Sequence, residues 1–279
     1  MPQQAQKVEQ LKSFMALRSK VWTREEHILA FNLYCTIPFG TIHIHNPKII
    51  QLAKLMGRSV GAVSYKLANF SRLDPKQRSR GIRGMPHGAK GEEEVWQEFD
   101  RNPESLAFES QRLFARLSGQ RLEDIAEIDE DELPREGVER ESLVRLRVNQ
   151  QFFRAAVLAA YDFRCCVTGL AVPELLVAGH IIPWATDATE RMNPHNGLCL
   201  NALHDRAFDR GLMIIADDFT VHFADSLRSK STGYAESLNW LLKYEGQKIT
   251  LPRKFGPNLE LLAKHRRFCE QKESFSETA

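Results

Sequence analysis

Residues 175–211, LLVAGHIIPWATDATERMNPHNGLCLNALHDRAFDRG, gather His180, His195, His204, Asn193, Asn196, Asn201, Asp205 and Asp209 beside an apolar run. Imidazoles titrate near neutral pH, and imidazoles and carboxylates hold divalent cations. The window is therefore either a polar loop on a protein fold or the metal centre of an enzyme. Taken singly, each histidine favours the loop.

The elements that must position these residues decide between the two. ELLVAGHI and NGLCL read as short strands, ALHDRAFDR as a helix, and GLMIIADDFTVHFA as a hairpin turning at Asp217 and Asp218. Upstream, residues 142–161 form a helix candidate and Gly169 after CVT marks a turn. His180 then ends the first strand, Asn196 precedes the second, and His204 sits on the helix. All three can converge on one cleft.

The rest of the chain bounds the surroundings. Its 279 residues, 43% of them apolar, are enough for about two domains. No apolar run is long enough to span a bilayer. The opening MPQQAQKVEQLKSF lacks the layout of a secretory signal, so a cytoplasmic protein with no membrane partner is expected. The five cysteines, at 35, 165, 166, 199 and 269, contain no C-x-x-C pair. Neither a disulfide framework nor a structural zinc is suggested, and Cys165 reads as a packed core thiol.

The net charge of +2 conceals a segregation along the chain. Residues 1–90 hold 15 Lys and Arg against 4 Asp and Glu, and residues 91–141 hold 6 against 17. A basic segment of that size attracts polyanions, which in a cytoplasm are mostly nucleic acid; the alternative is a solvated surface neutralised by its acidic neighbour. From Trp22, WTREEHILAFNLYC opens a helix with Thr23 as N-cap, and NPKIIQLAKLMGRSVGAVSYKLANFSRLDP reads as helix, tight turn at Gly57, helix. Ile49, Ile50, Leu52, Ala53 and Leu55 make one apolar face, and Val60, Val63, Leu67 and Phe70 the other. A helix-turn-helix of this layout contacts double-stranded DNA, here through Lys54, Arg58, Ser59, Ser64, Tyr65, Lys66 and Arg72. The stretch 72–91 reads as an extended basic arm. The expected division is a basic helix-turn-helix-like domain at 1–92, an acidic helical linker at 93–141 and a second domain at 142–279.

The pattern Tyr161, Cys165, TG, GHIIPW, NGLCL, His204, FDRG resembles the HNH nuclease motif of the ββα-metal fold, in the branch of predicted restriction endonucleases. The segments GRSVGAVSYKLANFSRLDP, VWQEF and PNLELLAKHRRF resemble those flanking the nuclease domain in such proteins, and NQQFFRAAVLAAYDFRCCVTG joins the motif upstream. An α+β chain follows, with a helical DNA-binding region before a C-terminal HNH domain. The resemblance implies a divalent-metal-dependent endonuclease acting on DNA in restriction or defence, with one Mg2+ or Mn2+ per site. A DNA-binding regulator with an inactive HNH fold is the alternative. The resemblance makes His180 the general base, Asn196 the residue that fixes the loop aiming it, and His204 a metal ligand. Two departures stand out. Many such nucleases have Asp, Glu or His directly before the base, where this chain has Gly179, so His204 needs help from Asp209, Asp205 or Asp187; Asp209 is the expected ligand. The paired zinc-binding cysteines of some members are missing, and His195 is an additional candidate ligand. Two-strand cleavage by a one-site nuclease further suggests a homodimer.

Overall fold

Thr23 opens the first helix, α1 (Arg24–Thr36), by a reciprocal cap: its hydroxyl accepts from the Glu26 amide and the Glu26 carboxylate accepts from the Thr23 amide. This computed structural model describes residues 21–82, 88–129, 131, 134, 137–229 and 235–273. Asn46 caps α2 (Pro47–Met56), which stops at Gly57 in the left-handed conformation (φ 62°), and Ser59 caps α3 (Val60–Phe70). Helix, turn and helix thus follow the expected order. Val63, Leu67 and Phe70 are buried, as are Ile49, Leu52 and Ala53, whereas Ile50 faces solvent.

Two stretches differ from the sequence expectation. Within 72–91, residues 75–79 are not extended: Asp74 caps a short helix, α4 (Pro75–Ser79), and Gln77 is buried with its amide donating to the Arg253 carbonyl. Residues 83–87 of that stretch, and 130, 132, 133, 135 and 136 of the acidic one, lie outside the described residues. Residues 93–141, read as an acidic helical linker, are helical as expected, with most of α5 (Lys90–Phe99), then α6 (Pro103–Ser118) and α7 (Leu122–Ile125), and differ only in how they pack. Their Val95, Phe99, Leu106, Ala107 and Leu113 share one buried core with Ile28, Phe31 and Phe70.

Charge explains why this acidic stretch packs where it does. Arg24 pairs with Glu98 (2.5 Å) and Glu109 (2.7 Å), Arg116 with Glu25 (2.6 Å), and Arg72 with Glu93 (2.8 Å) and Glu92 (3.4 Å). The opposite charges that stand apart along the chain are brought together across these helices. Most of these pairs are exposed and contribute little energy. The pair between Lys66 and Glu92 (2.5 Å) is buried on both sides, with the Asn69 amide donating to the same carboxylate.

A single 23-residue helix, α8 (Val138–Ala160), serves two cores. Val144, Val148 and Phe152 belong to the first; Phe153, Val157 and Leu158 belong to the second. The second core is built on the antiparallel pair β1 (Leu176–His180) and β2 (Gly197–Asn201), with His180 opposite Gly197. Helix α9 (Ala202–Asp209) follows β2 directly, and the hairpin β3 (Met213–Ile215) and β4 (Val221–Phe223) follows it. Helices α10 (Asp225–Ser229), α11 (Ala235–Leu242) and α12 (Leu259–Glu270) complete the described chain. The result is α+β, mostly helical with two small sheets.

The two cores are also clasped by Lys254. Its fully buried ammonium donates to the carbonyls of Tyr34, Cys35 (3.1 Å) and Ile37 (2.7 Å) at the C-terminal end of α1. A cation at a helix C-terminus satisfies carbonyls that have no partner in the helix.

Breaking a buried ion pair leaves one charge without a partner, so Lys66→Ala is expected to destabilise the chain by about 3–5 kcal/mol. The double substitution Lys66→Met with Glu92→Leu should recover most of that loss in urea denaturation.

Candidate functional site

His180 ends β1 with its ring clamped from several directions. Phe153 of α8 stacks on it at 4.0 Å between ring centres and 5° between planes, and Trp184 meets it edge-on at 5.7 Å. Its Nε2 lies 2.9 Å from the Arg191 carbonyl oxygen. A carbonyl can only accept, so Nε2 carries the proton and the lone pair sits on Nδ1. Burial pushes the imidazole below its ordinary value, partly offset by the Arg191 carbonyl and the Asp209 carboxylate. The ring is therefore neutral at pH 7, with one nitrogen fixed and the other able to take a proton.

Asn196 holds the loop that carries Trp184 and Arg191. Fully buried, its carbonyl oxygen accepts from the Ile182 amide (2.8 Å), and its amide donates to the carbonyls of Ile182 (3.1 Å) and Glu190 (3.1 Å). The Asn196 backbone oxygen also accepts from Ile181 (2.8 Å). Arg191 closes the loop from the other end by donating to the Trp184 carbonyl (2.8 Å). These bonds fix the route of the chain immediately after His180.

Opposite His180, α9 presents Asp205 and Asp209, four residues apart and so on one helical face. The Asp205 carboxylate lies directly against Gly179: a Cβ at that position would stand 2.3 Å from Asp205 Oδ1. The missing side chain before His180 is the space that this carboxylate occupies. Burial pushes the Asp205 carboxyl up to about 6, with the neighbouring Asp209 charge adding to it. Asp209 is raised as well, by burial first, while Arg206, His180 and Arg210 act in the other direction. Two desolvated carboxylates on one face with an imidazole beside them make a site that a cation would stabilise.

His204 is not part of that group. It is fully buried, and its ring lies against Trp240 (5.3 Å), Tyr244 (5.5 Å) and Phe223 (6.3 Å). Its Nδ1 is engaged by the Asn201 amide (2.8 Å), and Nε2 has no partner among the described residues. Burial alone pushes it down to about 4; no carboxylate acts on it. His204, expected as a ligand, thus lies among aromatic rings with its Nε2 unpartnered among the described residues. It sits four residues before the buried Phe208 and shares that face of α9, while the next position turns toward the cleft. Among the other candidates, His195 binds the Gly256 carbonyl (2.7 Å), Asp187 accepts from Thr189, and Cys165 is buried in the second core. Among the described residues, no three His, Cys, Asp or Glu side chains form a metal-holding group.

The residues expected to contact DNA divide in a similar way. Lys54 is exposed and Ser64 half-buried, and Tyr65 faces solvent. Ser59 accepts from the Ala62 amide as a helix cap. Lys66 is buried against Glu92, because its spacing from Val63 and Phe70 puts it on the core face of α3. Arg58 is held by both oxygens of Glu26 (2.9 and 2.7 Å) and lies over the Trp22 ring at 5.0 Å. Arg72 is held by Glu92 and Glu93. Three of the expected phosphate contacts are therefore intramolecular ion pairs.

Helix α12 sets the position of the carboxylate-bearing end of α9. His265 stacks on Phe208 at 3.7 Å and 7°, and its Nε2 donates to the Phe208 carbonyl (3.2 Å). Gly211 (φ 74°) turns the chain against Cys269, where a Cβ would stand 3.3 Å from the sulfur.

Residues 165–216 match the family model described as HNH endonuclease, a span that includes both strands, α9 and β3. No curated protein matches the chain. The segment similar to this family thus contains His180, Asp205 and Asp209.

Burial pushes His265 down to about 4 in the folded chain, against about 6.5 unfolded. The unfolded state then binds more protons as pH falls from about 6.5 toward 4, so folding stability falls over that window. Between pH 7 and pH 5 this one group should remove about 2 kcal/mol. His265→Gln should show a correspondingly shallower loss when urea midpoints are compared at the two pH values.

Proposed function

We propose that this chain is a divalent-metal-dependent endonuclease that hydrolyses phosphodiester bonds of double-stranded DNA, in restriction of foreign DNA or a related defence. The observation that carries the reading is the convergence of His180, oriented through Nε2 with Nδ1 left for a proton, on the paired carboxylates of Asp205 and Asp209. The HNH match supports the reaction class.

The residues present fit a hard divalent cation. Oxygen donors suit Mg2+ or Mn2+, and Mg2+ commonly takes only one or two carboxylates, with water and phosphate oxygens completing its shell. The Gly179 hollow makes room for one of the two. Asp205 and Asp209 would hold the ion, whose positive charge stabilises the charge that develops on phosphate and leaving oxygen. His180 takes the proton of the attacking water through Nδ1, and its Nε2 bond to Arg191 stabilises the imidazolium that results. Phe153 and Trp184 keep the ring from turning out of line. Asn196 acts by holding the 181–191 segment in register with β2. Lys54, Ser64 and Tyr65 remain available for the duplex on the outer side of α2 and α3. Cutting two strands with one site per chain calls for two protomers, and sedimentation of the chain with duplex DNA should give a dimer.

Plasmid cleavage and calorimetric titration with Mn2+ separate the roles. His180→Ala should lose cleavage by 1,000-fold or more, an order of magnitude typical for a lost general base with its positioning, and keep its metal affinity. Asp205→Asn and Asp209→Asn should each lower Mn2+ affinity at least tenfold, on the order of the loss of one ligand. His204→Phe should retain that affinity. Plasmid left intact by wild type with Mg2+ or Mn2+, under conditions where it binds DNA, would make the chain a DNA-binding protein without nuclease activity.

A further inference from the structure

Arg24, Arg58, Arg72, Arg116, Arg121 and Arg140 of the helical half are neutralised internally, and two of the arginines left over share one groove. Between α6 and α8 lies a groove of about 460 Å3 whose walls include Phe108, Glu109, Arg112, Arg116 and Arg145. Arg145 lies over the Phe108 ring at 4.0 Å from its centre, and Arg112 approaches the same ring at 5.9 Å. Neither guanidinium has an ion-pair partner among the described residues. The carboxylate in the groove, Glu109, is already held by Arg24 (2.7 Å), and Arg116 by Glu25 (2.6 Å). What remains is a pair of planar cations on one aromatic ring, half-buried at Arg145 and exposed at Arg112.

Stacking fixes the plane of a guanidinium and leaves its N–H fork free to grip an oxyanion with two bonds. The groove is also tied to the cleft. Arg145 precedes Phe153, the ring beneath His180, by eight residues of the same uninterrupted helix. That is about 12 Å along its axis. One DNA strand presents a charge about every 3.4 Å of duplex axis, so the axial part of the offset spans about three to four phosphates, with a turn of about 80° around the helix between the two positions.

We propose that Arg112 and Arg145, set on Phe108, form a phosphodiester-binding site that anchors the DNA backbone a few nucleotides from the cleft. The choice of DNA as ligand rests on the nuclease reading; the anion site itself rests on the unpaired guanidinium pair. It supplies the backbone contact that Arg58, Lys66 and Arg72 cannot make while they are held by Glu26, Glu92 and Glu93.

The test is fluorescence anisotropy of the full chain with a labelled 20-bp duplex in chelator, across a salt series. Arg112→Gln with Arg145→Gln should weaken binding at least tenfold and reduce the slope of log K against log salt by about two units, one per lost phosphate contact. Arg112→Glu, at an exposed position, should weaken binding while leaving Arg145 stacked on Phe108, which keeps the test decisive if the double variant folds poorly. Duplex affinity and slope unchanged in Arg112→Glu would overturn the proposal. So would an equal loss from Lys243→Gln with Lys248→Gln, which alters net charge elsewhere. Polyglutamate that binds with the same arginine dependence while the duplex does not would assign the groove to an acidic protein and overturn it too. Cleavage of plasmid by wild type is read separately. A chain that cleaves but binds DNA independently of the arginines removes the groove and keeps the nuclease reading. One that fails to cleave yet needs the arginines for binding does the reverse.

Discussion

Helix α8 is the constraint on which the rest of the structure depends. Two adjacent residues, Phe152 and Phe153, point into different cores, so one rigid rod of about 34 Å carries the helical half on one stretch and the β1–β2 unit on the next. Phe153 backs the imidazole of His180, and Gly197 lies so close to Val157 that a Cβ there would stand 2.3 Å from it. The close approach lets β2, and hence α9, be placed by the same helix. Lys254 adds a second tie by capping α1 from the C-terminal half.

Within the cleft, desolvation acts in opposite senses on the two kinds of group. It lowers the imidazole of His180 and raises the carboxyls of Asp205 and Asp209, each toward its neutral form. Such a site is electrostatically incomplete by itself. A divalent cation would return the carboxylates to their charged form while leaving the imidazole neutral, the combination that the proposed hydrolysis requires. The neighbouring His204 shows the contrast: it is desolvated too, yet it faces aromatic rings and no carboxylate acts on it.

The basic N-terminal stretch teaches a related point about charge. An excess of cations along a chain says that anions must come near, and here many of the anions are in the chain itself. Arg24, Arg58, Lys66 and Arg72 each find a glutamate from another part of the helical half. Two cations without an ion pair among the described residues, Arg112 and Arg145, lie instead on α6 and α8, in and next to the stretch of net negative charge, where composition would not direct attention.

Local pattern alone determined much of this protein. The caps at Thr23 and Ser59, the turn at Gly57, the strands ending at His180 and beginning at Gly197, the helix from Ala202 and the hairpin after Gly211 all follow from short-range periodicity and turn chemistry, because each is settled within a few residues. The clamp of Asn196 on the loop after His180 was implied by the family resemblance, not by local pattern. The facing of α9 was decided only in three dimensions. His204 and Asp205 are adjacent in sequence, and a rotation of about 100° separates core from cleft; which residue receives which side depends on where Trp240, Tyr244 and Phe223 pack. The role of Gly179 was equally invisible, since a glycine before the base reads as a missing ligand until the Asp205 carboxylate is found in the space it leaves. Lys66 and the acidic helices were hidden for the same reason: a charged residue on an apolar face signals burial only when its partner, distant in sequence, is known to arrive there.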